Sequence, residues 1–331
     1  MEDRKKDHID LAFSSRLDGN LADNRFDYEP MMGTHGKKDL SFEFADKKMR
    51  LPIWVSSMTG GTKRAGTINK NLAQACAEFG MGMGLGSCRI LLDSPEYFDD
   101  FNVRPVMGDD VPLFANIGIC QLEQMLENKT EEKLDELVQK LQADGLVIHI
   151  NPMQEAFQPE GDLLKSPPIE ILKKYLAKTD LKIIVKEVGQ GFGKESLRQL
   201  LALPLEAIEF GALGGTNFSL VELNRSEAVA AEVYNPFIHI GHTAENMTQT
   251  INQLIDKMGY RVKVNNLIIS GGISSILDGY YLTEISRMPA IFGMGSAFLR
   301  HSMGSYDKLR NYIQKLENGL QLANNFLRVK Q

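Results

Sequence analysis

Eight short apolar runs, each followed by polar or glycine-rich residues and then a helix-like segment, constrain this chain more than any other feature. They read as strands at 53–57, 81–85, 113–117, 146–150, 182–186, 207–210, 267–270 and 290–293. Most are continuously apolar, as expected of strands buried on both faces. Between them, 69–79, 131–142, 169–177, 194–203 and 243–258 carry the spacing of amphipathic helices. Eight strands alternating with helices predict an α/β fold, and within that class a (β/α)8 TIM barrel. An open doubly wound sheet would show G-x-G-x-x-G directly after its first strand. The run GMGMGLG at 80–86 instead alternates glycine within the second strand and opens no helix. It reads as a strand whose missing side chains make room for something packed against it.

The spacing is uneven. More than fifty residues separate the sixth and seventh strands, enough for an additional helix at 219–233 or a lid. Residues 1–50 show little periodicity and form an N-terminal extension; 51–331 form the barrel, with a helical tail at 306–328. An apolar fraction of 43% supplies a sizeable core. A net charge of −6 and a pI near 5.6 argue against a nucleic-acid-coating surface, so phosphate recognition has to be local. The three cysteines, Cys76, Cys88 and Cys120, form no C-x-x-C pair, which suits a reducing compartment. The opening MEDRKKDHID lacks an apolar leader core, and no apolar run is long enough to span a bilayer. A soluble, cytoplasmic protein is expected.

In such barrels the strand ends and the loops after them form the active face. Here they carry Ser57-Met58-Thr59-Gly60-Gly61, Gly86-Ser87-Cys88-Arg89, Asn116, HINPMQE at 149–155, Lys186-Glu187, GALGGT at 211–216, SGGI at 270–273 and Gly293-Met294-Gly295-Ser296. The last two loops precede helices, where glycine lets backbone N–H groups approach a phosphate. Either loop alone is equally well an ordinary βα turn; as a pair they favour a phosphate site. Lys186 at a barrel mouth calls for an anionic partner, such as the N1–C2=O region of a reduced flavin. Asn116, Ser87 and Thr59 could hydrogen-bond a planar heterocycle, or merely cap strands. Glu155 is a hard oxygen ligand suited to Mg²⁺. His149 and Asn151 alternate and so share one side of the strand end. Gln154 does not titrate and would position or polarise a substrate. The cluster RKKDHI at 4–9 is either a solvated tail or a mobile clamp for a diphosphate.

The motifs RKKDHI, MTGG, GSCR, HINPMQE, KEVGQG, GGT and SGGI occur here in the order seen in type 2 isopentenyl-diphosphate isomerases, and the chain resembles that FMN-dependent family from Arg4 to about Leu299. The resemblance implies a barrel holding FMN and a Mg²⁺-bound diphosphate. It also implies a reversible 1,3-proton shift between isopentenyl and dimethylallyl diphosphate. Reduced FMN, made with NADPH or another reductant, would serve as acid and base without net redox turnover. Carried over, Arg4, Lys5, Ser87, Cys88 and Arg89 bind the diphosphate. His149, Asn151 and Gln154 line the substrate, and Glu155 holds Mg²⁺. Met58, Thr59, Gly60, Ser87, Asn116, Lys186 and Thr216 contact FMN, while Gly271, Gly272, Ile273, Gly293, Met294, Gly295 and Ser296 hold its phosphate. Cys88 stands where the family commonly has Gln or Met, and 23–48 is unlike typical members. A homo-oligomer, tetramer or octamer, is expected. Two other readings share the barrel: an FMN oxidoreductase of the hydroxyacid-oxidase type, with His239 or His242 as base, and a non-catalytic flavin- or phosphate-binding protein.

Overall fold

The computed structural model describes residues 2–330. Twelve strands occur in chain order: β1 Phe26–Tyr28, β2 Phe42–Phe44, β3 Lys47–Met49, β4 Ile53–Val55, β5 Gly82–Gly84, β6 Leu113–Gly118, β7 Gly145–Ile150, β8 Lys182–Glu187, β9 Ala207–Glu209, β10 Asn266–Ser270, β11 Ala290–Met294 and β12 Leu327–Val329. Strands β4 to β11 form a closed parallel barrel in sequential order, and β11 returns to β4 through Phe292 opposite Ile53. All eight expected strands are present, with ends displaced by a residue or two. Helices between them cover the outside, including Lys63–Phe79, Pro168–Leu176, Lys194–Leu201 and Ala244–Met258. Local chemistry fixes their starts: the Thr62 hydroxyl accepts from Ala65 N–H, and Ser275 and Asp278 form a capping box. Among the described residues, no helix is long and apolar enough to cross a membrane.

The barrel interior is filled by Trp54, Phe114, Val147, Ile184, Ala207, Ile268 and Ile291, all with no exposed surface. The alternating glycines of β5 find their explanation here. A Cβ on Gly82 would lie 2.5 Å from the Trp54 ring, so the indole occupies the room that glycine leaves.

The N-terminal extension is more ordered than its weak periodicity suggests. Strands β2 and β3 pair as an antiparallel hairpin, turning at Ala45 and Asp46 with φ of 53° and 64°. Phe44, Ala45 and Met49 join the interior cluster, and Phe44 packs 5.4 Å from Trp54 and 6.2 Å from Phe114. Lys182 at the start of β8 donates to Ala45 O, and Glu206 just before β9 accepts from Ala45 N–H. Both anchors lie at the N-terminal ends of strands, so the hairpin plugs the bottom of the barrel, opposite the mouth.

Two expected helices differ in detail. The tail helix ends at Phe326, and β12 continues it as a strand antiparallel to β1, with Phe26 opposite Val329. Segment 219–233 is two short helices, Phe218–Leu223 and Ala228–Tyr234. The first ends where the Ser226 hydroxyl donates to Leu223 O, satisfying a terminal carbonyl.

Candidate active site

Above the apolar layer, the next inward-facing position on most strands is polar: Ser56 follows β4, and Asn116, His149, Lys186, Glu209 and Ser270 lie on β6 to β10. Parallel register places His149 beside Lys186 and Lys186 beside Glu209. The Asn116 amide donates to Leu85 O at 2.9 Å, which fixes its orientation and leaves Oδ1 2.7 Å from His149 Nδ1. His149 therefore carries its proton on Nδ1, and Nε2 is an acceptor. Burial, with the charge of Lys186, pushes His149 down to about 3, so it is neutral at physiological pH.

Lys186 is buried and donates to Glu187 O at 2.7 Å. The Glu187 carboxylate turns the other way and accepts from the N–H groups of Gly189, Gln190 and Gly191. Among the described residues, Lys186 has no ion-pair partner. A cation left unpaired in a cavity is a place for an anionic ligand.

The residues after β7 form one connected cluster. Pro152 opens the helix Pro152–Phe157, which sets Asn151, Gln154 and Glu155 one turn apart. Asn151 donates to Glu155 Oε1 at 2.9 Å and to Gln154 Oε1 at 3.2 Å, while Glu155 Oε2 accepts from Asp162 N–H. Gln154 in turn donates to Glu222 at 3.4 Å, and Arg225 holds the other Glu222 oxygen at 2.7 Å. Glu222 had no signal in the sequence. It lies on the helix Phe218–Leu223, inside the segment read as an extra helix or lid.

A cavity of about 440 Å³ opens at this mouth. Met58, Lys186, Thr216, Gly271, Gly272, Ile273, Gly293, Met294, Gly295 and Ser296 all line it, and so do Glu209, Arg300 and His301. Glu209, Arg300 and His301 were not singled out in the sequence. Thr59, Gly60, Ser87 and Asn116 do not line the cavity. Asn116 sits in the polar layer beside it, and the loops carrying Thr59 and Gly86 press together so closely that a Cβ on Gly86 would lie 2.2 Å from Thr59 O. Cys88 turns into the core with no exposed surface, and burial pushes its thiol up to about 12, so it is not presented to a substrate at the mouth. Arg89 is ion-paired to Asp162 at 2.9 Å. Arg4 and Lys5 lie exposed on the helix Glu2–Leu11 and line no cavity described here. A larger cavity of about 670 Å³ lies beside the mouth, between helices Pro168–Leu176 and Lys194–Leu201, and His242 lines it. His239 is exposed. Neither histidine reaches the cavity that holds Lys186.

The donor set fits a flavin mononucleotide. Gly271 and Gly272 adopt φ of 88° and 74°, a conformation open to glycine, and a Cβ on Gly215 would lie 3.0 Å from Gly271 Cα. Two loops thus present bare backbone to the cavity, which Gly293 to Ser296, Arg300, His301 and Lys186 also line. The fit to Mg²⁺ is of another kind. Among the described residues, no group of three or more His, Cys, Asp or Glu side chains could hold a metal. One carboxylate, Glu155, suits an ion that arrives with substrate phosphates.

A closed parallel barrel of this kind is shared with solved flavin enzymes. A flavocytochrome b2 mutant with pyruvate bound superposes with a TM-score of 0.63 and 15% identity, covering 90% of this chain and 71% of that one. A mandelate oxidase mutant with a monooxide FMN adduct gives 0.58 and 11%, covering 91% and 83%. The fold is thus the (β/α)8 barrel that these enzymes also have. Sequence relatives narrow this. The isopentenyl-diphosphate delta-isomerase of Rickettsia felis is 33% identical over 97% of this chain and 91% of its own length, and that of Rickettsia akari is 34% identical over 97% and 92%. This chain belongs to the isopentenyl-diphosphate delta-isomerase family. No protein-family model matches it.

Proposed function

We propose that this enzyme interconverts isopentenyl and dimethylallyl diphosphate by a reversible 1,3-proton shift, using FMN reduced by NADPH or another reductant, and Mg²⁺ on the diphosphate. The supporting observation is that the glycine-lined cavity around Lys186 and the Asn151–Gln154–Glu155 cluster both lie at the C-terminal ends of the barrel strands, where β7 pairs with β8. Gly271, Gly272, Ile273 and Gly293 to Ser296 would hold the FMN phosphate, with Arg300 adding charge. Met58 and Thr216 would contact the ring system, and Lys186 would compensate negative charge on it. When bound and reduced, FMN would supply the acid and base for the allylic proton transfer.

The chain's own groups are suited to holding rather than titrating. His149, neutral and with Nε2 as acceptor, does not donate a proton to an alkene at physiological pH. Gln154 positions the isoprenoid, itself held by Asn151 and Glu222. Glu155 offers Mg²⁺ its oxygens once the Asn151 and Asp162 donors yield. Arg89 would bind diphosphate after leaving Asp162, with Ser87 nearby and Arg4 and Lys5 brought in from the N-terminal helix.

The test is an isomerase assay on purified protein with FMN, Mg²⁺ and a catalytic amount of NADPH. Dimethylallyl diphosphate should accumulate well beyond the NADPH supplied. Product limited to one per NADPH, or none under reducing conditions, refutes the proposal.

A further inference from the structure

Glu209 ends β9 and points into the barrel, at the floor of the cavity that also holds Lys186. It has no exposed surface, and neither carboxylate oxygen makes a hydrogen bond of ordinary geometry, although the Ser56, Ser270 and Trp54 donors stand close enough to favour its charged form. An ionisable group left so in a core is costly, and such groups gather where a site needs them. The groups facing it come from three strands. Lys186 on β8 is its register partner and the only charge among them; Trp54 and Ser56 come from β4 and its end, and Ser270 from β10. Beyond Lys186 stands neutral His149 on β7, while β5 and β11 contribute only Gly84 and Gly293. The Trp54 Nε1 and Ser56 Oγ donors have no other hydrogen-bond partner. Burial raises the Glu209 pKa above the ordinary carboxyl value, and Lys186 together with the Ser56, Ser270 and Trp54 donors opposes that rise.

We propose that Glu209 stores a proton for the cofactor pocket, taking one up from water when the bound flavin is reduced and releasing it on reoxidation. This rests on the FMN reading above. A donor of the reduced-nicotinamide class is oxidised and passes two electrons and one proton to the flavin, which gains one negative charge. The compensating proton comes from solvent and forms the O–H bond of Glu209. Lys186 stays charged throughout, so the pocket keeps the same net charge in both states. A new negative charge near a carboxylate raises its proton affinity, which supplies the coupling. For an enzyme whose cofactor must remain reduced through many non-redox turnovers, that compensation favours the reduced state.

The experiment measures the midpoint potential of FMN bound to the full-length protein across pH, since its slope counts protons per electron pair. Wild type should take up one proton more than Glu209→Gln, in a pH range where both bind flavin. Equal slopes overturn the proposal. If Glu209→Gln fails to fold or to bind flavin, reduced-minus-oxidised infrared spectra of wild type in H₂O and D₂O decide. A protonated-carboxyl band that appears on reduction and shifts in D₂O supports the proposal, and its absence overturns it. Failure of the FMN reading is distinct, because wild type would then show no bound-flavin absorbance, and both ideas would fall.

Discussion

Replacing Phe44 by alanine separates the two ends of the barrel. The ring is 1% exposed and packs against Trp54 and Phe114, with centroids 5.4 and 6.2 Å away. Emptying a site of this kind costs about 3–5 kcal/mol, since the transfer term and the cavity both count. At roughly 1–2 °C per kcal/mol for a chain somewhat larger than the surveyed domains, the melting temperature should fall by about 3–10 °C. Phe44→Leu leaves a smaller void and should lose well under half as much. Because the hairpin plugs the bottom of the barrel and the Trp54 layer separates it from the mouth, the KM for isopentenyl diphosphate and the flavin affinity should stay within about twofold at temperatures where the variant is folded. The measurements are thermal denaturation followed by circular dichroism, flavin fluorescence titration and steady-state kinetics. A variant of unchanged stability, or one whose KM rises tenfold while it remains folded, would refute the assignment of β2 and β3 as a structural plug.

Three further outcomes test the mouth. Glu155→Gln should lower isomerisation by two or more orders of magnitude at fixed Mg²⁺ without altering the spectrum of bound flavin, read from a Mg²⁺ titration; an unchanged Mg²⁺ dependence removes its metal role. Glu222→Gln weakens the hold on Gln154 and should lower kcat about tenfold with KM little changed, and equal losses in a Gln154→Ala background and in wild type would show that the two do not act together. His149 has a folded pKa of about 3, far below its unfolded value near 6.5. Between those values the unfolded chain binds the extra proton, so His149 subtracts stability as pH falls from about 6.5 toward 3. His149→Gln should therefore flatten the acid limb of stability measured by urea denaturation at pH 7, 6, 5 and 4, and parallel limbs would contradict a neutral His149.

Most of the barrel was legible because its signals are local. An apolar run such as 182–186 followed by a helical period needs no distant partner to be recognised, and Gly271-Gly272 marks a turn by its own chemistry. The N-terminal hairpin was missed for the opposite reason. Its alternation of Phe42, Phe44 and Met49 is too short to stand out, and its stability comes from the Trp54 floor rather than from propensity. The burial of Cys88 was not legible because a strand-end motif does not tell which of its side chains turns inward. Glu222 was invisible because its partner Gln154 lies 68 residues earlier.

The sequence by itself determined the class of fold, the side of the barrel that carries chemistry, and the residue types available there, since periodicity and turn chemistry are written along the chain. Only the tertiary structure decided which of those residues meet. Closure of the barrel sets the register that lays Lys186 beside Glu209 at the cavity floor and turns His149 to Asn116. Such pairings depend on how separate strands slide against one another, and a shift of one residue would turn every one of these side chains to the other face.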